Sequence, residues 1–186
     1  MEETTISIIG IMLAAILMFI VPLVTIADRN DDISQLTVQT LTADFVDKII
    51  RIGQIRSQDY NEYISRLESS GNTYDVEIEV KILDENPSKM QSDNDRTTVG
   101  ANSYYSIYTS QIEEQLRKNN ADIADPNKED TSKVLLKEGD IVSVVAKNSS
   151  KTVSQALKGF YYTIKGEDLY IISSTCTATV AVNGST

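Results

Sequence analysis

The stretch ISIIGIMLAAILMFIVPLVTI, residues 6–26, contains no charged side chain. At a rise of ~1.5 Å per residue, a helix over this run spans a hydrocarbon core of about 30 Å. A cleaved signal peptide is the competing reading. Against it, MEETT at residues 1–5 carries Glu2 and Glu3 and no Lys or Arg. The apolar run also outlasts the ~7–15 residues usual for a signal peptide, and no small-x-small cleavage site follows it. A soluble helix is seldom apolar on every face for so long. The run therefore predicts an uncleaved transmembrane helix, with membrane lipid as its first partner. Gly10 and the Ala14-Ala15 pair leave room for a second helix to approach closely. Pro22 lacks an amide hydrogen and frees the carbonyl one turn earlier, which predicts a kink or a loosened turn. The plainer reading of all four is that Gly, Ala and Pro are common in membrane helices.

Beyond the run, ISQLTVQTLTADFVDKIIRIG ends at Gly53. Its apolar positions Ile33, Leu36, Val38, Leu41, Phe45, Val46, Ile49, Ile50 and Ile52 recur with a helical period. Gly53 is a candidate C-cap, and Lys48 and Arg51 sit near the negative end of the dipole. The helix either continues from the span or restarts with Asp31 or Asp32 as its cap. The chain so divides into an N-terminal head (1–5), a transmembrane helix (6–26), an amphipathic extension (27–53) and a globular domain (54–186). Orientation has little to rest on, because Arg29 is the only basic residue close to the span. The short head and long tail favour a cytoplasmic N-terminus and an extracytoplasmic C-terminal domain.

In the globular part, Ser57 reads as the N-cap of a helix with Tyr60, Tyr63, Ile64 and Leu67 on one face, closed by Gly71. TYDVEIEVKIL then alternates strictly, with Tyr74, Val76, Ile78, Val80 and Ile82 against Asp75, Glu77, Glu79 and Lys81. That is a strand with one buried and one wet face, ended by Asn86-Pro87. Glu77 and Glu79 on the wet face read as solvated rather than catalytic. Residues 86–103 read as a polar loop whose Asp93-Asn94-Asp95 lacks the glycine and the bidentate Glu of a calcium loop. Tyr104, Tyr105 and Tyr108 lead from it into a helix with Ser110, Glu113 and Glu114 in its first turns, and are a candidate contact surface. Residues 119–132 read as a second polar loop.

In the last third, Lys137-Glu138-Gly139-Asp140 is a turn between Val134–Leu136 and the strand Ile141–Lys147. Val153, Ala156, Leu157 and Phe160 define the apolar face of a short amphipathic helix. Leu169–Val182 is a strand with Ile172, Ser174, Cys176, Ala178, Val180 and Val182 on one face, so Cys176 is a small buried hydrophobe. Asn148 and Asn183 open N-x-S sequons. The fold class expected is α+β: a transmembrane helix continuing into an amphipathic one, packed on a small antiparallel sheet with short helices.

Composition closes several functional routes. The 186 residues hold 17 Lys+Arg against 27 Asp+Glu, for a net charge of −10, with no His and one Cys. Without imidazole there is no Ser-His-Asp or Cys-His machinery. A zinc site and a disulfide both need more Cys or His than the chain has. Strong acidity disfavours nucleic acid. No cofactor or metal is expected, and no enzyme. A hydrolase built on paired carboxylates would need the fold to bring the pair together, because spacing identifies none.

The plan resembles the subunits of type IV filaments, the pilins and pseudopilins. Ile8-Ile9-Gly10-Ile11, then Ala14-Ala15-Ile16, then Pro22, is similar to the membrane helix of that family. TYDVEIEVKILDENP and LLKEGDIVSVVAKN resemble membrane-anchored proteins of Gram-positive bacteria associated with Tad-type pili. The resemblance implies a structural or assembly component of a pilus-like or secretion filament. Its helix would bundle through Gly10, Ala14, Ala15 and Pro22 with copies of itself or with other pilin-like subunits. In the family a glutamate inside the apolar run neutralises a neighbour's N-terminal amine. Here Glu2 and Glu3 precede the run, either as an assembly charge of that kind or as a solvated terminus. The alternative is a single-pass anchored extracytoplasmic binding or sensor domain.

Overall fold

The computed structural model describes residues 2–83, 104–121, 132–165 and 171–184, with backbone alone at residue 2, 119–121 and 160–165. Both polar loops lie almost wholly outside the described residues. So do Asn86-Pro87, the Asp93-Asn94-Asp95 triplet, the Leu169–Tyr170 start of the last expected strand, and the Phe160 side chain.

A single helix, α1 (Glu2–Ile52), runs for 51 residues. It does not restart at Asp31 or Asp32, and it stays helical through Pro22. Every side chain from Glu3 to Leu23 is exposed, Met18 to 77 %. The second half is different. Ala27, Asp31, Ser34, Val38, Thr42, Phe45, Val46 and Ile49 are buried, spaced three and four apart as one helix stripe requires. Ile33 and Leu36, expected on the covered face, instead point outward and stay 63 % and 65 % exposed. Small and polar residues take the inner stripe there because the elements that cover it bind through hydrogen bonds.

That stripe is the floor of the domain. β2 (Tyr74–Leu83), β3 (Tyr104–Tyr108), β5 (Ile141–Asn148) and β6 (Ser173–Thr179) form an antiparallel sheet in the order β3-β2-β5-β6. Its inner face pairs Val80 with Val142, Ile78 with Val144, and Val144 with Cys176. Val76, Ile78, Val80, Val142, Val144 and Ala146 join Val38, Phe45, Val46 and Ile49 in one core. Each fully buried aliphatic side chain there contributes about 1.5–3 kcal/mol. Cys176 packs against that core, partly buried.

The edges are secured by side chains. The Gln35 amide donates to the Ser173 carbonyl at 2.7 Å and accepts from the Ser173 N–H at 3.0 Å, standing in for a strand partner along β6. Beside it, α2 (Ser57–Glu68) turns Tyr63 and Leu67 into the core, with the Phe45 and Tyr63 rings stacked at 4.5 Å.

Four local expectations change. Ser57 is the first helical residue rather than the cap; the cap position falls to Arg56, which is still held in β1 (Gln54–Arg56) and pairs with Lys133. The partner of β4 (Lys133–Leu135) is β1, not the strand after the turn. Tyr104–Tyr108 is a strand, so α3 (Thr109–Ala121) starts one residue before Ser110, with Gln111 Oε1 accepting the Tyr108 N–H at 3.0 Å. Asn148 is buried and its amide nitrogen has no partner, so the sequon it opens presents no accessible acceptor.

Gly53 is a C-cap as expected, at φ 65°, with its N–H on the Ile49 carbonyl at 2.8 Å. The chain around Val182–Gly184 lies directly over it, so an added Cβ would meet the Val182 carbonyl at 2.2 Å. Gly71, at φ 85°, has open space around it. Gly71→Ala should therefore cost only the left-handed backbone strain, about 1–2 kcal/mol. Gly53→Ala should cost clearly more, because the tail must also move. Urea unfolding of both variants in detergent, followed by circular dichroism, checks the order.

Candidate functional site

Among the described residues, three surfaces stand out once the core is accounted for. The first is the bare half of α1. Gly10, Ala14, Ala15 and Pro22 are all exposed, and a Cβ added at Gly10 would meet nothing within 4 Å. Gly10 and Ala14 stand four apart, on adjacent turns of one face. The hydroxyls of Ser7 and Thr25 donate back to the Glu3 and Val21 carbonyls at 3.0 Å each, so neither is left unpaired on an apolar surface. Glu3 is exposed; the Glu2 side chain lies outside the described residues.

The second surface is the outer face of the sheet. Tyr104, Ser106 and Tyr108 stand on this face, opposite Leu83, Lys81 and Glu79. Tyr105 pairs with Ile82 and so points the other way, and the three tyrosines do not form one patch. All three are exposed. Tyr108 lines an open groove of about 670 Å³ with Asp75, Glu77, Glu79 and Glu113. Glu79 accepts from the Ser106 hydroxyl and Glu113 from the Tyr60 hydroxyl, both at 2.7 Å. Burial, with Glu113 adding, raises the Tyr60 phenol well above its ordinary value. Glu79 and Glu113 thus hold the fold's own hydroxyls, and Asp75 and Glu77 line the same groove. Among the described residues, no group of three or more acidic or Cys side chains is arranged to hold a metal ion.

The third surface was not singled out by the sequence. It lies where α4 (Val153–Lys165) meets α1, just past the apolar run. Thr152 caps α4: its hydroxyl accepts the Gln155 N–H at 3.2 Å while the Gln155 side chain accepts the Thr152 N–H at 3.1 Å. The same hydroxyl donates to Asp31 at 2.7 Å. Ser154 donates to Asp28, and Lys158 Nζ meets the Asp28 carboxylate at 2.6 Å. Two carboxylates thus face the first turns of α4, where the exposed N–H groups carry positive charge. The inner face of α4 is Thr152, Ser154 and Gln155, all buried. Val153 and Leu157, expected inside, are 67 % and 43 % exposed. Over its described side chains, residues 153–159, the helix is turned inside out. The available signal was Thr152-x-x-Gln155 in the same chain as an acidic run at Asp28–Asp32; nothing local joined the two.

Comparison with protein-family models, with curated proteins and with solved structures finds no match for this chain.

The bond to Lys158, then that to Ser154, holds the Asp28 carboxyl below its ordinary value of 3.8. A lowered folded-state value means that its stabilisation is present above the unfolded value and lost as pH falls through the folded one. Protection of α4 amides against hydrogen exchange should fall as pH drops below 3.8. Asp28→Asn should show the loosened α4 already at neutral pH and lose that part of the pH dependence. Exchange measured by mass spectrometry across the pH series checks both.

Proposed function

We propose that this protein is a non-enzymatic, membrane-anchored structural or assembly component of a pilus-like or secretion filament. Its apolar helix packs against copies of itself or against other pilin-like subunits, and its acidic domain is extracytoplasmic. The observation that carries this reading is that the exposed apolar side of α1 does not stop with the apolar run. Ile26, Ile33 and Leu36 remain 65 %, 63 % and 65 % exposed. Leu36 stands ten residues past Ile26, about 15 Å along the axis. That exceeds the roughly 5–7 Å that the headgroup layer adds on each side of the hydrocarbon. Lipid cannot cover Leu36, and a second helix lying along α1 can. Gly10, Ala14 and Ala15 permit the same approach deeper in the membrane. Glu3, and Glu2 with it, would contribute charge where the helices begin.

The second reading is a single-pass anchored extracytoplasmic binding or sensor domain. It is favoured by the acidic groove beside Tyr108, which suits a cationic ligand.

Both make predictions for single-cysteine variants on a Cys176→Ala background. If α1 bundles, Ala14→Cys and Leu36→Cys should each cross-link to dimers in native membranes, and Gly10→Leu should weaken the Ala14→Cys product. The protein should also appear in the filament fraction sheared from intact cells. Retention in the membrane pellet with no cross-link at either position would leave the anchored-domain reading.

A further inference from the structure

We propose that α4 is a second membrane-contacting element, an interfacial helix whose outward apolar face enters the lipid bilayer beside the α1 span. The inference rests on α1 crossing the membrane and goes beyond its use as an anchor. Its basis is position. Asp28, which holds Ser154 and Lys158, lies two residues past Ile26, the end of the apolar run. Two residues of helix advance about 3 Å. The headgroup layer is roughly 5–7 Å deep on each side of the hydrocarbon. A helix about 10 Å across seated at Asp28 therefore overlaps that layer and reaches the edge of the hydrocarbon.

The direction of α4 agrees. Thr152, at its start, bonds Asp31, whereas Lys158, six residues on, bonds Asp28. The helix thus advances toward the lipid as it proceeds, and Val24 and Ala27 on that stripe of α1 are shielded accordingly. The polarity of its faces is then explained. Thr152, Ser154 and Gln155 turn inward to the Asp28–Asp31 carboxylates, and Val153 and Leu157 turn outward. In water, this arrangement would expose the apolar face and bury the polar one. Against a bilayer it buries both, which is the pattern of helices that lie in the interface. Lys158 neutralises Asp28 at the border of the hydrocarbon, where an unpaired carboxylate is costlier than in bulk water.

The chain contains no Trp, so one introduced indole reports its own surroundings. Leu157→Trp, Leu17→Trp and Glu68→Trp would be reconstituted separately, as full-length protein, into phosphatidylcholine–phosphatidylglycerol vesicles with lipids brominated near the glycerol or at mid-chain. Leu17→Trp tests the span, and Glu68→Trp on exposed α2 is the water control. The expected result is blue-shifted emission from Leu157→Trp, lost more to shallow than to mid-chain bromine, with Glu68→Trp unquenched. Quenching of Leu17→Trp with none of Leu157→Trp would overturn the interfacial role while leaving the span intact. Quenching of neither would overturn the span, and this inference with it. As a second variant, Leu157→Asp leaves the buried polar face untouched. In vesicles it should raise exchange in α4; exchange unchanged from the parent protein would also overturn the proposal.

Discussion

A helix satisfies its own backbone hydrogen bonds, so it can pass from hydrocarbon into a protein interior without changing conformation. α1 has the length and composition to do so, and the fold depends on its second half. Its first half exposes an almost unbroken run of apolar side chains, an area far beyond what a water-facing surface carries without a partner. Its second half supplies the stripe that covers the inner face of the sheet. That sheet could not stand alone, since Val76, Ile78, Val80, Val142, Val144 and Ala146 all project from one side of it. One element thus carries both an exposed apolar surface and a buried core stripe. The handover falls between Val24 and Val38, where the inner stripe is Ala27, Asp31 and Ser34 instead of large aliphatics.

Around that spine, polar side chains close what the sheet leaves open. Gln35 holds the β6 edge, and Thr109 Oγ1 accepts the Ile78 N–H at 2.7 Å just past the end of β3. Buried Asp140 accepts the Leu83 and Lys137 N–H groups at 2.9 and 2.8 Å, tying the end of β2 to the turn before β5. Asp59 receives Lys48 at 2.6 Å and Arg56 at 2.8 Å, joining α1 to α2. Each bond is modest in net terms, about 1 kcal/mol, but a buried partner left without its donor would cost more. They determine which neighbours meet rather than how much apolar area is buried.

What could be read from the sequence follows from this division. The apolar run, the alternation from Tyr74 to Ile82, Gly53 and the Tyr63–Leu67 face are local patterns. The structure keeps them because burial acts on the same residues that create the period. β1 and β4 are three residues each and exist only because Gln54–Arg56 and Lys133–Leu135 pair across the fold. No local signal marks such strands. β3 is an edge strand with exposed tyrosines, so it lacks the alternation that identified β2. For α4 the period was legible but its inward side was not. The assumption that apolar residues face protein fails where the partner on α1 is a pair of carboxylates. The candidate packing residues Gly10, Ala14 and Ala15 are exposed on a bare helix, and Asp28 and Asp31 gained meaning only when Thr152 and Lys158 arrived from more than a hundred residues away.

Pro22 sits just on the lipid side of this junction. It removes the amide that would bond the Met18 carbonyl, so that turn of α1 lacks a backbone bond shortly before Asp28 and Asp31, which α4 and its cap hold. From Asp28 onward the helix is clamped by Lys158, Ser154 and Thr152, and further on by Gln35 and the core. Before Pro22 its side chains are exposed among the described residues. A bend at that turn would fall between the clamped domain and the exposed apolar half of the helix. A rod that must tilt to meet neighbouring helices can do so there without disturbing the sheet. The clamp at Asp28 keeps that bend from spreading into the domain, which is why a polar latch belongs within two turns of a proline.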